Sequence, residues 1–212
     1  GRAPRVLALK PSKLRHLPRE VLEQQQLVRL RLARQALGAL PRDFGRLYAL
    51  EQLDPQDNRP ATQPESIGAL TRLRTLDLAR NRLTALPLHV GGLQALEELD
   101  LSDNPTLGQV PVALAALGEL KALGLRDTAL TALPHWFAQL GALEVLDLSR
   151  NHFVDVPRVL RALPSLRELS LGGQSVPTRQ VARVCGFKAL EVLSLDRLGL
   201  RRAPARLGAL RS

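Results

Sequence analysis

Reactive side chains are few in this 212-residue chain, and they are scattered. The histidines are His16, His89, His135 and His152, and none has metal-ligand spacing with the lone cysteine, Cys185. His-Glu-x-x-His, Gly-x-Gly-x-x-Gly, a phosphate loop and a Gly-x-Ser-x-Gly elbow are all absent, so the usual zinc, dinucleotide, nucleotide and acyl-transfer sites have no anchor. Carboxylates are the remaining candidates. Asp77 and Asp100 have the types for a general acid and base, but that chemistry needs a pocket that drives the two pKa values apart. The elements expected around them form an open sheet with no such pocket, so we expect no enzyme, no metal and no cofactor. One cysteine allows no internal disulfide, and it fits a reducing, cytoplasmic setting.

What those carboxylates could do instead depends on the elements that carry them. The spacing over residues 73–93 is L-x-x-L-x-L-x-x-N-x-L-x-x-L-P-x-x-V-x-x-L, and the cycle reopens at Leu96. Equivalent frames begin at Pro4, Leu27, Leu50, Leu73, Leu96, Leu120, Leu143, Leu166 and Leu190, with one residue inserted in the fifth and one in the eighth. About nine repeats therefore tile residues 1–212 as a single domain. Composition follows the motif, with 48 leucines against the single isoleucine Ile67. The L-x-L core alternates at period two and predicts a short strand with one buried face. Stacked repeats make these strands a parallel inner sheet. The column Gln35, Asn58, Asn81, Asn104, Thr128, Asn151 and Gln174 follows the strands, where it can satisfy backbone amides of neighbouring turns. The L-P step and the x-x-V-x-x-L that follows predict a short helix or 3₁₀ turn along the outer side.

The frame resembles the leucine-rich repeat superfamily over essentially the whole chain. Its L-P step and 23-residue period are most similar to the intracellular class, typified by Ras-suppressor and scribble-type proteins, and similar repeats occur in effectors of plant-pathogenic bacteria. The resemblance implies an α/β solenoid, a horseshoe with a parallel inner sheet and short helical, 3₁₀ or irregular outer segments. It also implies a non-enzymatic recognition scaffold for a protein partner. An alternative is the substrate-recruiting arm of a larger signalling, ubiquitin-ligase or effector protein. The chain has no methionine even at position 1, so we read it as a piece of a longer or processed product.

Two repeats depart from the frame. In the third, Pro55, Pro60 and Gln63 stand where leucines would restore an ordinary repeat, which reads either as a binding notch or as a tolerated, loosened repeat. In the eighth, Ser175 or Thr178 is placed to cap an outer helix, on which Cys185 would be a small buried apolar residue. Trp136 breaks a column of mostly small or polar outer residues and is expected to lie exposed beside buried Phe137.

Charge is segregated. Residues 1–50 hold 11 basic and 3 acidic residues, 51–150 hold 8 and 13, and 151–212 hold 11 and 4, within a formal net charge of +10. The frame points the acids of the middle segment at the concave surface, with Asp54, Asp77, Glu98, Asp100, Asp103 and Asp147 as an acidic core and Arg80, Arg126 and Arg150 at its rim. Like charges one strand apart raise the free energy of the empty face, so a basic protein partner would relieve it. The basic ends, including Arg201, Arg202, Arg206 and Arg211, invite nucleic acid or an anionic membrane as the competing reading. No stacking aromatics or recognition helix accompany them. A monomer is expected, and no apolar run approaches the roughly 18–20 residues of a spanning helix.

Overall fold

The computed structural model describes residues 5–181, 184, 187 and 189–197; Cys185, Arg201, Arg202, Arg206 and Arg211 lie outside them. Nine strands, each three residues long, follow one another at the repeat spacing. They are β1 (Val6–Ala8), β2 (Arg29–Arg31), β3 (Gln52–Asp54), β4 (Thr75–Asp77), β5 (Glu98–Asp100), β6 (Ala122–Gly124), β7 (Val145–Asp147), β8 (Glu168–Ser170) and β9 (Val192–Ser194). They pair in parallel, in chain order, as one open sheet. Each strand centres on a leucine that faces the core, and these leucines stack in register: Leu53 on Leu76, Leu76 on Leu99, Leu99 on Leu123. The residues either side of that leucine are thereby left on the concave surface. Period-two alternation fixes this, since a one-residue slip would put a carboxylate row into the core.

Six 3₁₀ turns run along the outer side from Phe44 to Ala162, among them Leu88–Gly92, Val112–Ala116 and His135–Gln139. Five of them start directly after a proline, whose φ of about −60 to −70° suits the entry to a turn. Val90, Leu114 and Phe137 point inward from these turns and are fully buried. The first repeat closes with a single α-helical turn, α1 (Arg19–Leu22), and the eighth opens α2 (Thr178–Val181), so the helix foreseen there is one described turn.

The polar column is buried and carries hydrogen bonds along the stack. Asn104 is inaccessible to solvent. Its Nδ2 donates to the carbonyls of Leu78, Leu101 and Ser102 at 3.0, 2.8 and 3.2 Å, and its Oδ1 accepts from the Leu83 N–H at 3.0 Å. Asn151 repeats the pattern on Leu125, Leu148 and Ser149, and Thr128 joins it through its own hydroxyl. One amide thus bonds four backbone groups of adjoining turns, two of which, the Leu78 and Ser102 carbonyls, also accept from Asn81 Nδ2 and the Arg80 N–H.

The third repeat shows what its prolines remove. In other repeats the residue after the strand donates its N–H across the sheet, as Leu32 does to Asp54 O at 2.7 Å and Leu78 to Asp100 O at 2.8 Å. Pro55 has no N–H, and the β3–β4 pairing ends one residue early, at Leu53–Leu76. Pro60 likewise cannot donate to Asn81, whose Oδ1 accepts from the Asn58 N–H at 3.0 Å instead. Gln63 is only 4% exposed, and neither its Oε1 nor its Nε2 has a hydrogen-bond partner. No notch opens here; the repeat is filled but poorly satisfied.

Candidate functional site

The strand frame brings most of the expected acids together. Asp77 and Asp100 are register partners on β4 and β5, and Asp54 on neighbouring β3 acts on Asp77 electrostatically. Gly124 is the register partner of both Asp100 and Asp147, so it interrupts the acidic row. Asp100 fills that gap: a Cβ on Gly124 would stand 2.3 Å from Asp100 Oδ1. Asp77, Glu98, Asp100, Ser102, Gly124 and Asp147 border a shallow hollow of about 360 Å³ across β4 to β7. A smaller one, about 190 Å³, joins Asp54 and Asp77 to Arg29 and Arg31.

This geometry corrects several expectations. The sheet is open but not featureless, and burial raises the Asp77 carboxyl above its usual value of 3.8. The neighbouring carboxylates of Asp100 and Asp54 push the same way, while the Ala79 N–H and Arg80 oppose. The aspartates are also not free surface charges. Oδ1 of Asp54, Asp77, Asp100 and Asp147 accepts the backbone N–H two residues on, from Gln56, Ala79, Ser102 and Ser149 respectively, at 2.8 to 3.2 Å. Each therefore closes its own turn with one oxygen. Ala79 and Ser102, which donate two of these N–H groups, are buried. Asp54 is paired in register with Arg31, so it marks the boundary of the acidic area.

The rim residues separate from the acidic core. Asp103, expected in the acidic core, instead shares with Arg80 and Arg150 a column in which each residue from Arg34 to Arg150 is left-handed, with φ of 52 to 57°. Here the chain leaves the strand and turns towards the polar column. Arg150 is bonded to Asp127 at 3.0 Å, and Arg80 to Gln56. Arg126 lies one column inward, exposed and without an ion pair among the described contacts. Trp136 is half-buried rather than exposed, tilted 41° against Phe137 with ring centres 5.9 Å apart.

One ordered feature escaped the sequence reading. The residue after each repeat's opening leucine runs Glu51, Arg74, Glu97, Lys121, Glu144, Arg167, Glu191, an alternating ladder on the edge opposite the polar column. Glu97 pairs with both Arg74 and Lys121, and Arg167 pairs with Glu191 at 3.5 Å. Those two cations hold the Glu97 carboxyl below its usual range, and Glu97 holds Lys121 above its own. Comparing every 23rd position would have found it. Among the described residues no group of His, Cys, Asp and Glu could hold a metal, and no helix is long and apolar enough to cross a membrane.

Known proteins match this architecture. A family model described as leucine rich repeat fits residues 71–130 and 119–175. No curated protein sequence matches significantly. A solved leucine-rich-repeat protein of Leptospira interrogans is 28% identical with a TM-score of 0.79, over 96% of this chain and 57% of its own. Internalin C2 of Listeria monocytogenes is 30% identical with a TM-score of 0.63, over 72% of this chain and 64% of its own. The ectodomain of the receptor kinase GASSHO1/SCHENGEN3 of Arabidopsis thaliana, solved with CASPARIAN STRIP INTEGRITY FACTOR 2, is 28% identical with a TM-score of 0.69, over 86% of this chain and 22% of its own. The chain thus spans less than two thirds of each of these proteins.

Proposed function

The chain belongs to the leucine-rich repeat superfamily, and we propose that it is a non-enzymatic scaffold that captures a basic segment of a protein partner on the concave face of β3 to β7. The observation that carries this reading is the set of carboxylates Asp77, Glu98, Asp100 and Asp147 bordering one concave hollow, the three aspartates fixed through one oxygen by their own turns. The fold is in general a protein-interaction scaffold, which makes a protein the expected ligand. Strand residues on a rigid sheet lose little conformational freedom on binding, so contacts there are efficient. The face is acidic in its middle and turns basic at Arg29 and Arg31, so a cationic segment is drawn to the centre and repelled from that end. Its positive charges would also relieve the repulsion that Asp54 and Asp100 exert on Asp77.

The test is binding of basic peptides to the immobilised protein, with Asp77→Asn/Asp100→Asn as the variant. Asparagine keeps an oxygen for the Ala79 and Ser102 N–H groups, whereas arginine would break both turns. Expected are loss of binding, unchanged folding by circular dichroism, and slower association as salt rises over the ~8–10 Å screening range. Full binding by this variant would overturn the reading. A flanking activity that makes this chain a recruiting arm would use the same face. A cytoplasmic setting is supported by the single cysteine. Nucleic-acid or membrane binding through the basic ends is the competing class, and filter binding to RNA or anionic vesicles separates it.

A further inference from the structure

We propose that the flank of repeats four to six, on the side of the polar column, is a second docking surface that takes an uncharged aliphatic segment of a protein partner. Three departures from the repeat coincide there. The first is the position after the outer proline, which from the second to the seventh repeat reads Arg42, Glu65, Leu88, Val112, His135, Arg158; in that run only Leu88 and Val112 are aliphatic, and they stand on adjacent repeats. Leu88 is 72% and Val112 56% exposed, so neither serves the core. The second is the only tryptophan of the chain, which lines the same groove, half-buried and held against Phe137. The third is the residue inserted in the fifth repeat. Gly108 takes φ +65°, a conformation that favours glycine, and bends the loop so that its N–H reaches the Thr128 carbonyl at 2.9 Å. The result is a groove of about 890 Å³ running between Thr84 and Thr131, floored by Leu86 and Leu133 and walled by Leu88, Val112 and Trp136.

The lining decides the occupant. None of the residues around this groove is charged, although 24% of the chain is. A charged ligand would lose water there and find no counter-charge. Aliphatic side chains against leucine, valine and an anchored tryptophan lose nothing comparable, and aromatic anchors of this kind concentrate binding energy. A second copy of the chain does not fit. The exposed apolar area of the groove is far smaller than the roughly 800 Å² that a stable dimer interface takes from each partner. A short turn or one helix face, with two or three aliphatic side chains, matches the scale. The surface is independent of the concave acids: it lies on another side of the solenoid and shares no residue with them.

Because Trp136 is the only tryptophan, its emission reports on this site alone. The probe is a set of short synthetic helical peptides with leucines on one face and glutamine, lysine or glutamate on the other. The glutamine peptide should shift Trp136 emission to saturation, more tightly than the lysine and glutamate forms. Leu88→Gln/Val112→Gln should weaken it about tenfold or more, and both positions are exposed enough to keep the fold. Asp77→Asn/Asp100→Asn should leave it unchanged, while that variant alone loses basic peptides, so either surface can fail without the other. No saturable response, equal binding by Leu88→Gln/Val112→Gln, or tighter binding of the charged peptides would overturn the proposal. A peptide-free, concentration-dependent shift with a dimer in sedimentation would overturn it in favour of a second copy.

Discussion

Gln63 is the weakest point of the core, and Gln63→Leu should stabilise the protein. The side chain is 4% exposed, in a column whose neighbours are Leu40 and Leu86, at 5% and 7%. Both of its polar atoms are buried and unpaired. Leaving such an amide without partners costs about 1–3 kcal/mol, and a leucine of similar volume would add apolar contact of its own. A gain of roughly 2 kcal/mol is therefore the lower expectation, and at about 2–4 °C per kcal/mol for a chain of this size the melting temperature should rise by ~4 °C or more. Calorimetry on wild type, Gln63→Leu and Gln63→Ala separates the contributions. Alanine removes the orphan amide but leaves a cavity, so it should fall below leucine. Restoring the donor with Pro55→Leu should be near neutral, because about 1 kcal/mol of hydrogen bond is offset by 0.4–1 kcal/mol of lost proline rigidity. A melting temperature for Gln63→Leu at or below wild type would refute the reasoning, since it would mean that the amide is satisfied.

Asp77→Asn should raise stability at neutral pH: the folded carboxyl is raised above 3.8, so wild type loses stability as pH climbs from there through its folded value. The advantage should vanish below pH 3.8, and denaturant melts at both pH values check it. Asn104→Ala removes a buried amide from the Leu101 carbonyl and the Leu83 N–H, while the Leu78 and Ser102 carbonyls keep the Asn81 Nδ2 and Arg80 N–H donors, and it should cost on the order of 3 kcal/mol in the same melts. Gly68→Ala would place a Cβ 2.2 Å from the His89 backbone oxygen, so the outer turns must separate; a loss of about 1–3 kcal/mol is expected.

The fold was legible because each repeat restates it. A leucine every 23 residues at the centre of a strand can bury its side chain only if the strands stack in register, and the pairing Leu53, Leu76, Leu99 does that. The polar column was legible for the same reason, as a position that holds amide or hydroxyl residues from the second to the eighth repeat. The left-handed column was not. Arginine and aspartate are ordinary surface residues, and nothing in their identity announces a φ of 53 to 57° at Arg34, Asp57, Arg80 or Asp103. The third repeat was half legible: the prolines and Gln63 mark the departure, but whether the gap stays open depends on how the neighbours close over it. They close fully, leaving polar atoms buried and no notch.

The acidic face shows why residue type alone misplaces function in a repeat protein. An aspartate in the L-D-L position is selected first by its turn, because its Oδ1 accepts the N–H two residues later in all four cases. Its charge on the concave face is then a by-product that recognition can use. Gly124 is the informative exception in that row: with no side chain to close a turn, it opens the space that Asp100 occupies and deepens the hollow between β5 and β7. Leu88 and Val112 are informative on the same logic from the other side. No turn, ladder or core contact requires an aliphatic residue there, and from the second to the seventh repeat the other residues of the column, Arg42, Glu65, His135 and Arg158, are charged or histidine. A position that departs from its column without serving the fold is where selection for a partner is read most directly.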